Sequence, residues 1–306
     1  MTTATGSSTA DTAPGVVMGL LRSMRPHQWT KNVFVFAALI FAQKFDHLED
    51  IGRATAAFGL FCALSGAVYI INDLADREKD RAHPRKRLRP IASGSVSAAA
   101  AQVFAAVLVV GSLCLGFALD TGFGMVASTY FVVNLAYSFY LKRIVILDVM
   151  TIAFGFVLRA VAGAEVIHVP ISSWLLLCTS LLALFLGFCK RRNELTYLQG
   201  DASGHRESLR EYSVAFLDQM ISVVTASTVI AYALYAMSPE VQEKLHTHYL
   251  GVTVPFVLYG IFRYLYVLNM KGEGGSPSRV LLEDKPLLIN VGLWMTTCLV
   301  LLYFRL

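Results

Sequence analysis

The chain has 306 residues, 56% of them hydrophobic and only 15% charged, with a net charge of +5 and a mean hydropathy of +0.57. A water-soluble domain carries nearer one-quarter charged residues, so this composition excludes an ordinary soluble enzyme and points to a bundle of membrane helices. The small net charge gives no reason to expect a nucleic-acid partner. The five cysteines (Cys62, Cys114, Cys178, Cys189, Cys298) form no C-x-x-C pair, which argues against structural zinc or a disulfide framework.

Residues 1–20 are rich in Thr, Ser, Ala and Gly and lack the basic start and early apolar core of a signal peptide. They read as a disordered tail ahead of one transmembrane domain over 21–306. Nine apolar stretches follow, near 28–44, 51–71, 98–118, 123–141, 144–166, 172–189, 216–237, 249–270 and 286–304. The expected fold class is therefore all-α, a polytopic bundle of nine transmembrane helices. Of the 26 Lys and Arg residues, 20 fall on the side of the N-terminus and the even-to-odd loops and only 4 on the other. The positive-inside rule then puts the N-terminus and those loops in the cytosol of a cell-membrane protein.

Arg25-Pro26-His27-Gln28-Trp29-Thr30-Lys31-Asn32 leads into the first stretch. Gln28 and Lys31 share a helix face, and Lys31 either meets a substrate phosphate or snorkels to the headgroups. Trp29 suits an interfacial anchor.

The second stretch ends in Ile71-Asn72-Asp73-Leu74-Ala75-Asp76-Arg77-Glu78-Lys79-Asp80, followed by Arg85-Lys86-Arg87-Leu88-Arg89-Pro90. Four residues advance a helix by about 400°, so on a continued helix Asn72, Asp76 and Asp80 point to nearly one side. Oxygen donors so placed suit a hard cation, and magnesium first, because it is held by one or two carboxylates plus substrate phosphates. Asn72, Asp76 and Asp80 are the candidate metal ligands, and Asp73, Asp76 and Asp80 the candidate catalytic carboxylates. Lys86, Arg87 and Arg89 offer charge to phosphate. A solvated helix end would carry the same acids at the cost of their mutual repulsion. The pattern points to a membrane enzyme that handles a diphosphate.

Tyr140 and Lys142 close the fourth stretch, either as substrate contacts or as ordinary boundary residues. The fifth contains Asp148, Arg159 and Glu165, and intramembrane charges are costly enough to mark candidates for function. Asp148 and Arg159 share a face but lie about 16 Å apart along a straight helix, so they cannot pair directly. Asp148 is a candidate for the donor side, whereas Arg159 serves substrate or ties its helix to another. After the sixth stretch come Lys190-Arg191-Arg192-Asn193-Glu194 and then Tyr197, His205, Arg206, Arg210, Glu211 and Tyr212. Lys190, Arg191 and Glu194 are candidates for substrate binding. A glycine-rich link, Lys271-Gly-Glu-Gly-Gly-Ser-Pro-Ser, precedes the last stretch.

Asn-Asp-x-x-Asp-x-x-x-Asp at 72–80, the basic run, Arg89-Pro90-Ile91-Ala92-Ser93-Gly94 and Leu158-Arg159-Ala160-Val161-Ala162-Gly163-Ala164 together resemble the UbiA-type intramembrane transferases. The resemblance covers nearly the whole chain. It implies a helical bundle around a central cavity, cytosolic cap loops, a polyprenyl substrate entering from the lipid and an Mg2+-bound diphosphate. Most of that family carry a second aspartate-rich motif after the sixth span, where this chain has the basic Lys190–Glu194 run. That departure, with Arg25–Asn32, resembles the decaprenyl-phosphate phosphoribosyltransferase branch. The branch implies phosphoribosyl diphosphate as donor, a polyprenyl phosphate as acceptor, and a role in making a cell-envelope precursor. Prenyl transfer to an aromatic acceptor is the alternative, and it would call for the missing aspartates. A lipid carrier leaves the acidic cluster unexplained. Oligomeric state is left open, a homo-oligomer included.

Overall fold

The computed structural model describes residues 15–44, 46–84, 86–197, 207–271, 280–281 and 283–304. Most of the expected tail, His205, Arg206 and nearly all of the glycine-rich link lie outside the described residues, as do the side chains of Tyr197 and Arg210. The described residues are helical throughout, with helices α1 Val16–Ser23, α2 Ala37–Phe41, α3 Leu48–Ala75, α4 Arg77–Ala82, α5 Pro90–Ser93, α6 Ala98–Leu119, α7 Thr121–Phe139, α8 Leu147–Val166, α9 Ser173–Tyr197, α10 Val214–Met237, α11 Pro239–Leu245, α12 Val254–Tyr266 and α13 Lys285–Phe304. Helix α1 begins inside the stretch expected to be disordered. Its buried Gly19 lets it lie against Val96 and Pro90, where an added Cβ would collide with Val96.

Seven segments among the described residues are long and apolar enough to cross a membrane: Leu48–Ala75, Ala98–Leu119, Leu147–Val166, Ser173–Thr196, Val214–Met237, Leu250–Met270 and Lys285–Tyr303. Nine were expected from the sequence. At the first expected position the chain forms a 3₁₀ helix, Pro26–Phe36, and the five-residue α2. Pro26 and the polar run His27 to Asn32 do not favour one long apolar α-helix there. At the fourth position α7 does form, but Ser128, Thr129, Asn134 and Ser138 dilute its 19 residues.

Helices that follow one another in sequence pack side by side from α3 through α6, α7, α8, α9 and α10 to α12 and α13, and α3 also reaches α8. The 3₁₀ segment wedges between α3 and α8. This close approach depends on Gly163, where an added Cβ would run into the carbonyl of Val35. The small residues Ala162 and Ala164 beside it are fully buried in the same core, a close-packing device common between membrane helices. Phe61 on α3 anchors that core against Phe123 and Tyr130 of α7, with ring centroids 5.7 and 5.1 Å away. A second core joins α8, α9, α10 and α12 around Phe185 and Tyr264. Ser97, Asp120 and Ser213 cap α6, α7 and α10 by accepting from Ala100, Phe123 and Phe216 backbone N–H groups at 3.2, 2.7 and 3.1 Å.

Candidate active site

Helix α3 stops at Ala75, because Asp76 takes φ −94° and ψ 7° before α4 resumes at Arg77. That one-residue break divides the acidic motif. Asn72 and Asp76 turn toward Lys142, whose ammonium donates to Oδ1 of Asn72 at 3.4 Å and to the two carboxylate oxygens of Asp76 at 3.2 and 3.1 Å. Asp73 and Asp80 turn to the other side and share Arg89, whose Nη1 lies 3.1 Å from Asp73 and 2.6 Å from Asp80. Arg25 adds a bond to Asp73 of 2.5 Å. The expected single face of Asn72, Asp76 and Asp80 is therefore two pairs, the first met by Lys142 and the second by Arg89 and Arg25.

Among the described residues no group of three or more His, Cys, Asp or Glu side chains comes together as a metal site. The Asn72–Asp76 pair nevertheless has the chemistry that magnesium uses. Three hard oxygens converge on one cationic position, now held by the Lys142 ammonium, and a phosphate-bearing ligand would complete the shell. The residues present fit the ion.

Asp148, in the first turn of α8, is 0% exposed. Its Oδ2 accepts from Nε of Arg191 at 2.6 Å, and its Oδ1 from the Tyr212 hydroxyl at 2.7 Å. Arg191 is 1% exposed and also donates to Glu194 at 2.6 Å and to Tyr137 at 3.4 Å. Lys190 stands 3.7 Å from the other oxygen of Glu194. Two carboxylates and two cations balance here, as burial of charge demands. Burial, then the bond to Asp148, pushes the Tyr212 phenol above its ordinary pKa. The basic run in the last turns of α9 thus becomes an internal ion network joined to α8.

A third set of cations lacks that balance. Arg159 is buried, and among the described residues its partners are uncharged: Oδ1 of Asn32 at 2.7 Å, the Gly155 carbonyl at 2.7 Å and the Tyr130 hydroxyl at 2.8 Å. The Tyr130 and Phe156 rings lie under its guanidinium at 4.7 and 5.4 Å. As the helical rise requires, it does not pair with Asp148. Half-buried Lys31, the residue before Asn32, has no hydrogen-bond or ion-pair partner among the described residues. Burial, followed by the fields of Lys190, Arg159 and Arg25, pulls its pKa down to about 7. Exposed His27 is shifted down as well, by burial and then by Arg25 and Lys31. Unbalanced positive charge within the bundle favours an anion.

The remaining candidates lie around these sets. Gln28 is half-buried one turn before Lys31. Tyr140 is exposed at the end of α7, and Arg87 is exposed on the turn Lys86–Leu88 with Lys86 half-buried beside it. Arg25, Asn32, Tyr130, Tyr137, Ser208 and Tyr212 take part in these networks although sequence reasoning gave them no place in the site. Arg25 and Asn32 bound the motif at 25–32 and Tyr212 belongs to the polar run after the sixth stretch, whereas Tyr130, Tyr137 and Ser208 carry no local signal.

The site thus joins an acidic helix end, a buried ion network and unbalanced cations within a multi-pass bundle of membrane helices. Residues 32–281 match the UbiA prenyltransferase family, and the chain is a member of it. It is 34% identical to the decaprenyl-phosphate phosphoribosyltransferase of Mycolicibacterium smegmatis, covering 97% of this chain and 96% of that protein. The decaprenyl-phosphate phosphoribosyltransferase of Mycobacterium tuberculosis H37Rv is 32% identical, with 92% and 93% covered. Its fold is similar to that of a UbiA homolog from Archaeoglobus fulgidus solved with GPP and Mg2+, at a TM-score of 0.68 and 18% identity, covering 93% of this chain and 99% of that one.

Proposed function

We propose that the protein transfers a 5-phosphoribosyl group from phosphoribosyl diphosphate to a polyprenyl phosphate, releasing diphosphate, as a step in making a cell-envelope precursor. The observation that carries this reading is Lys31, a half-buried ammonium without a partner among the described residues, in the field of Lys190, Arg159 and Arg25. A prenyl diphosphate presents one anionic group, which the acidic motif and its metal would serve. A donor with a second phosphate, and an acceptor that is itself a phosphate, need cations elsewhere. The two mycobacterial relatives support the same reading.

In this scheme 21–306 acts as one catalytic domain, and Asn72 and Asp76 hold Mg2+ with Asp73 and Asp80 adjoining. The ion, when bound, offsets charge on the leaving diphosphate. Lys142 and Arg89, already at the carboxylates, are placed to turn to phosphate oxygens. Arg159 is fixed by Asn32 and Tyr130, so its charge is preorganised. The C1–O bond to diphosphate breaks as an acceptor phosphate oxygen bonds to C1 from the opposite face, which inverts the anomeric centre from α to β. That oxygen is already anionic, so no strong general base is needed. The excess of basic residues in the even-to-odd loops supports a cytosolic location for this chemistry at the cell membrane.

Calorimetric titration of phosphoribosyl diphosphate with Mg2+ into detergent-purified protein tests the assignment of Lys31. Lys31→Met should weaken binding about tenfold or more, the order expected for loss of a charged hydrogen bond. Unchanged affinity would contradict it.

A further inference from the structure

The turn between α7 and α8 is held by a segment that comes more than sixty residues later. Ile146 in this turn has φ 68° and ψ −50°, a left-handed backbone that a β-branched residue adopts only under constraint. Its N–H donates to the Tyr212 hydroxyl at 2.7 Å, and the same hydroxyl donates to Oδ1 of Asp148 at 2.7 Å. Ser208 donates to the carbonyl of Lys142 at 3.1 Å and lies 3.5 Å from Oδ2 of Asp148. Arg191 fills the rest of Oδ2 at 2.6 Å. Asp148 has no exposed surface and each of its oxygens has a protein donor, so its contacts leave no face for substrate. Lys142, four residues before Ile146 in the same turn, is the group that holds Asn72 and Asp76.

We propose that Asp148 is a positioning residue that couples the loop after α9 to the acidic motif: docking of residues 208–212 onto Asp148 and Ile146 sets the turn that presents Lys142 to Asn72 and Asp76. When residues 208–212 lift, the turn loses the Tyr212 and Ser208 bonds, Ile146 relaxes, and Lys142 leaves the motif. Order in the loop on one side of the site becomes geometry on the other. A substrate that stabilises docked residues 208–212 also fixes the turn that carries Lys142. That keeps its ammonium beside the diphosphate end, where it can pass from Asp76 to a phosphate oxygen as the ion takes its place. Only the choice of donor rests on the proposed function; the coupling stands on the contacts themselves.

Two measurements on the full-length protein in detergent separate these claims. Hydrogen exchange in 141–147 reads the coupling without turnover. Tyr212→Phe, which keeps the ring and loses only the hydroxyl, should speed exchange there about tenfold, the change expected when one such bond is lost. Ser208→Ala, a smaller change, should speed it less. Unchanged exchange in both variants would overturn the coupling. Steady-state rates with phosphoribosyl diphosphate then read its consequence. Tyr212→Phe should raise KM about tenfold in the wild-type background and less than about twofold in Lys142→Met, because the hydroxyl acts through that lysine. Equal effects in both backgrounds would mean that Tyr212 acts only on the fold, and would also overturn the proposal. If the wild type does not use phosphoribosyl diphosphate, the proposed function fails while the exchange result still decides the coupling.

Discussion

The Lys142 ammonium lies 3.1 Å from Oδ2 of Asp76, a carboxylate that is 28% exposed, whereas Asp73 three residues earlier is 3% exposed between Arg25 and Arg89. Adjacent members of one motif thus stand in different environments, one open to a ligand and one built into the protein. Their variants should fail in different ways.

Asp76→Ala should abolish magnesium-dependent turnover and leave thermal unfolding in detergent nearly unchanged, because a part-exposed ion pair contributes only about 0–1 kcal/mol. Turnover assays and a melting curve on the same preparation check this. A folded Asp76→Ala protein with wild-type turnover would remove the acidic motif from the mechanism.

Asp148→Ala should behave in the opposite way. It leaves Arg191, the largest fully buried side chain among the described residues, without its partner from α8. Removing one member of a buried pair costs about 3–5 kcal/mol, so the melting temperature should fall sharply. A melting temperature within a degree or two of wild type would contradict the buried network.

Lys31 gives a pH dependence with a defined sign. Its pKa in the substrate-free protein is pulled down to about 7, against an ordinary value near 10.4 when unfolded. The unfolded chain therefore binds more protons between these values, so this group's contribution to stability rises with pH from about 7 toward 10. Phosphate binding favours the charged form. KM for a phosphate-bearing donor should then increase above about pH 7, approaching about tenfold per unit, as the lysine loses its proton. Lys31→Met should flatten that limb while raising KM at pH 6. A wild-type profile flat from pH 6 to 9 would show that this ammonium does not meet the donor.

Gly163→Ala should destabilise the fold by about 1–3 kcal/mol, the usual cost of overpacking, because its Cβ meets the backbone of Val35 and not a movable side chain. Thermal unfolding in detergent checks it. Unaltered stability would mean that the 3₁₀ segment and α8 can separate freely.

Much of this was legible in the sequence, but unevenly. The apolar runs gave an all-α bundle, and the acids at 72–80 were correctly set at the end of a long helix, because hydropathy and charge are local properties. The break at Asp76 was not legible. A single backbone change there rotates Asp80 from Asp76 toward Asp73, and no periodicity argument detects it. The stretch 28–44 reads as long enough to span, yet Pro26 and the polar residues after it give a tight 3₁₀ segment, Pro26–Phe36, whose position depends on Gly163, more than 120 residues away. Asp148 and Arg191 were each singled out, but their contact is tertiary, and so are the roles of Tyr212 and Ser208.

The central claim is the identity of the donor, and a paired label-transfer assay tests it most directly. Detergent-purified protein with Mg2+ is given labelled phosphoribosyl diphosphate and a polyprenyl phosphate, and in parallel a labelled prenyl diphosphate with 4-hydroxybenzoate. The account predicts label in the lipid fraction of the first reaction, lost on removing Mg2+, and no prenylated aromatic product in the second. Prenylated product in the second reaction, with no label reaching lipid in the first, would contradict it.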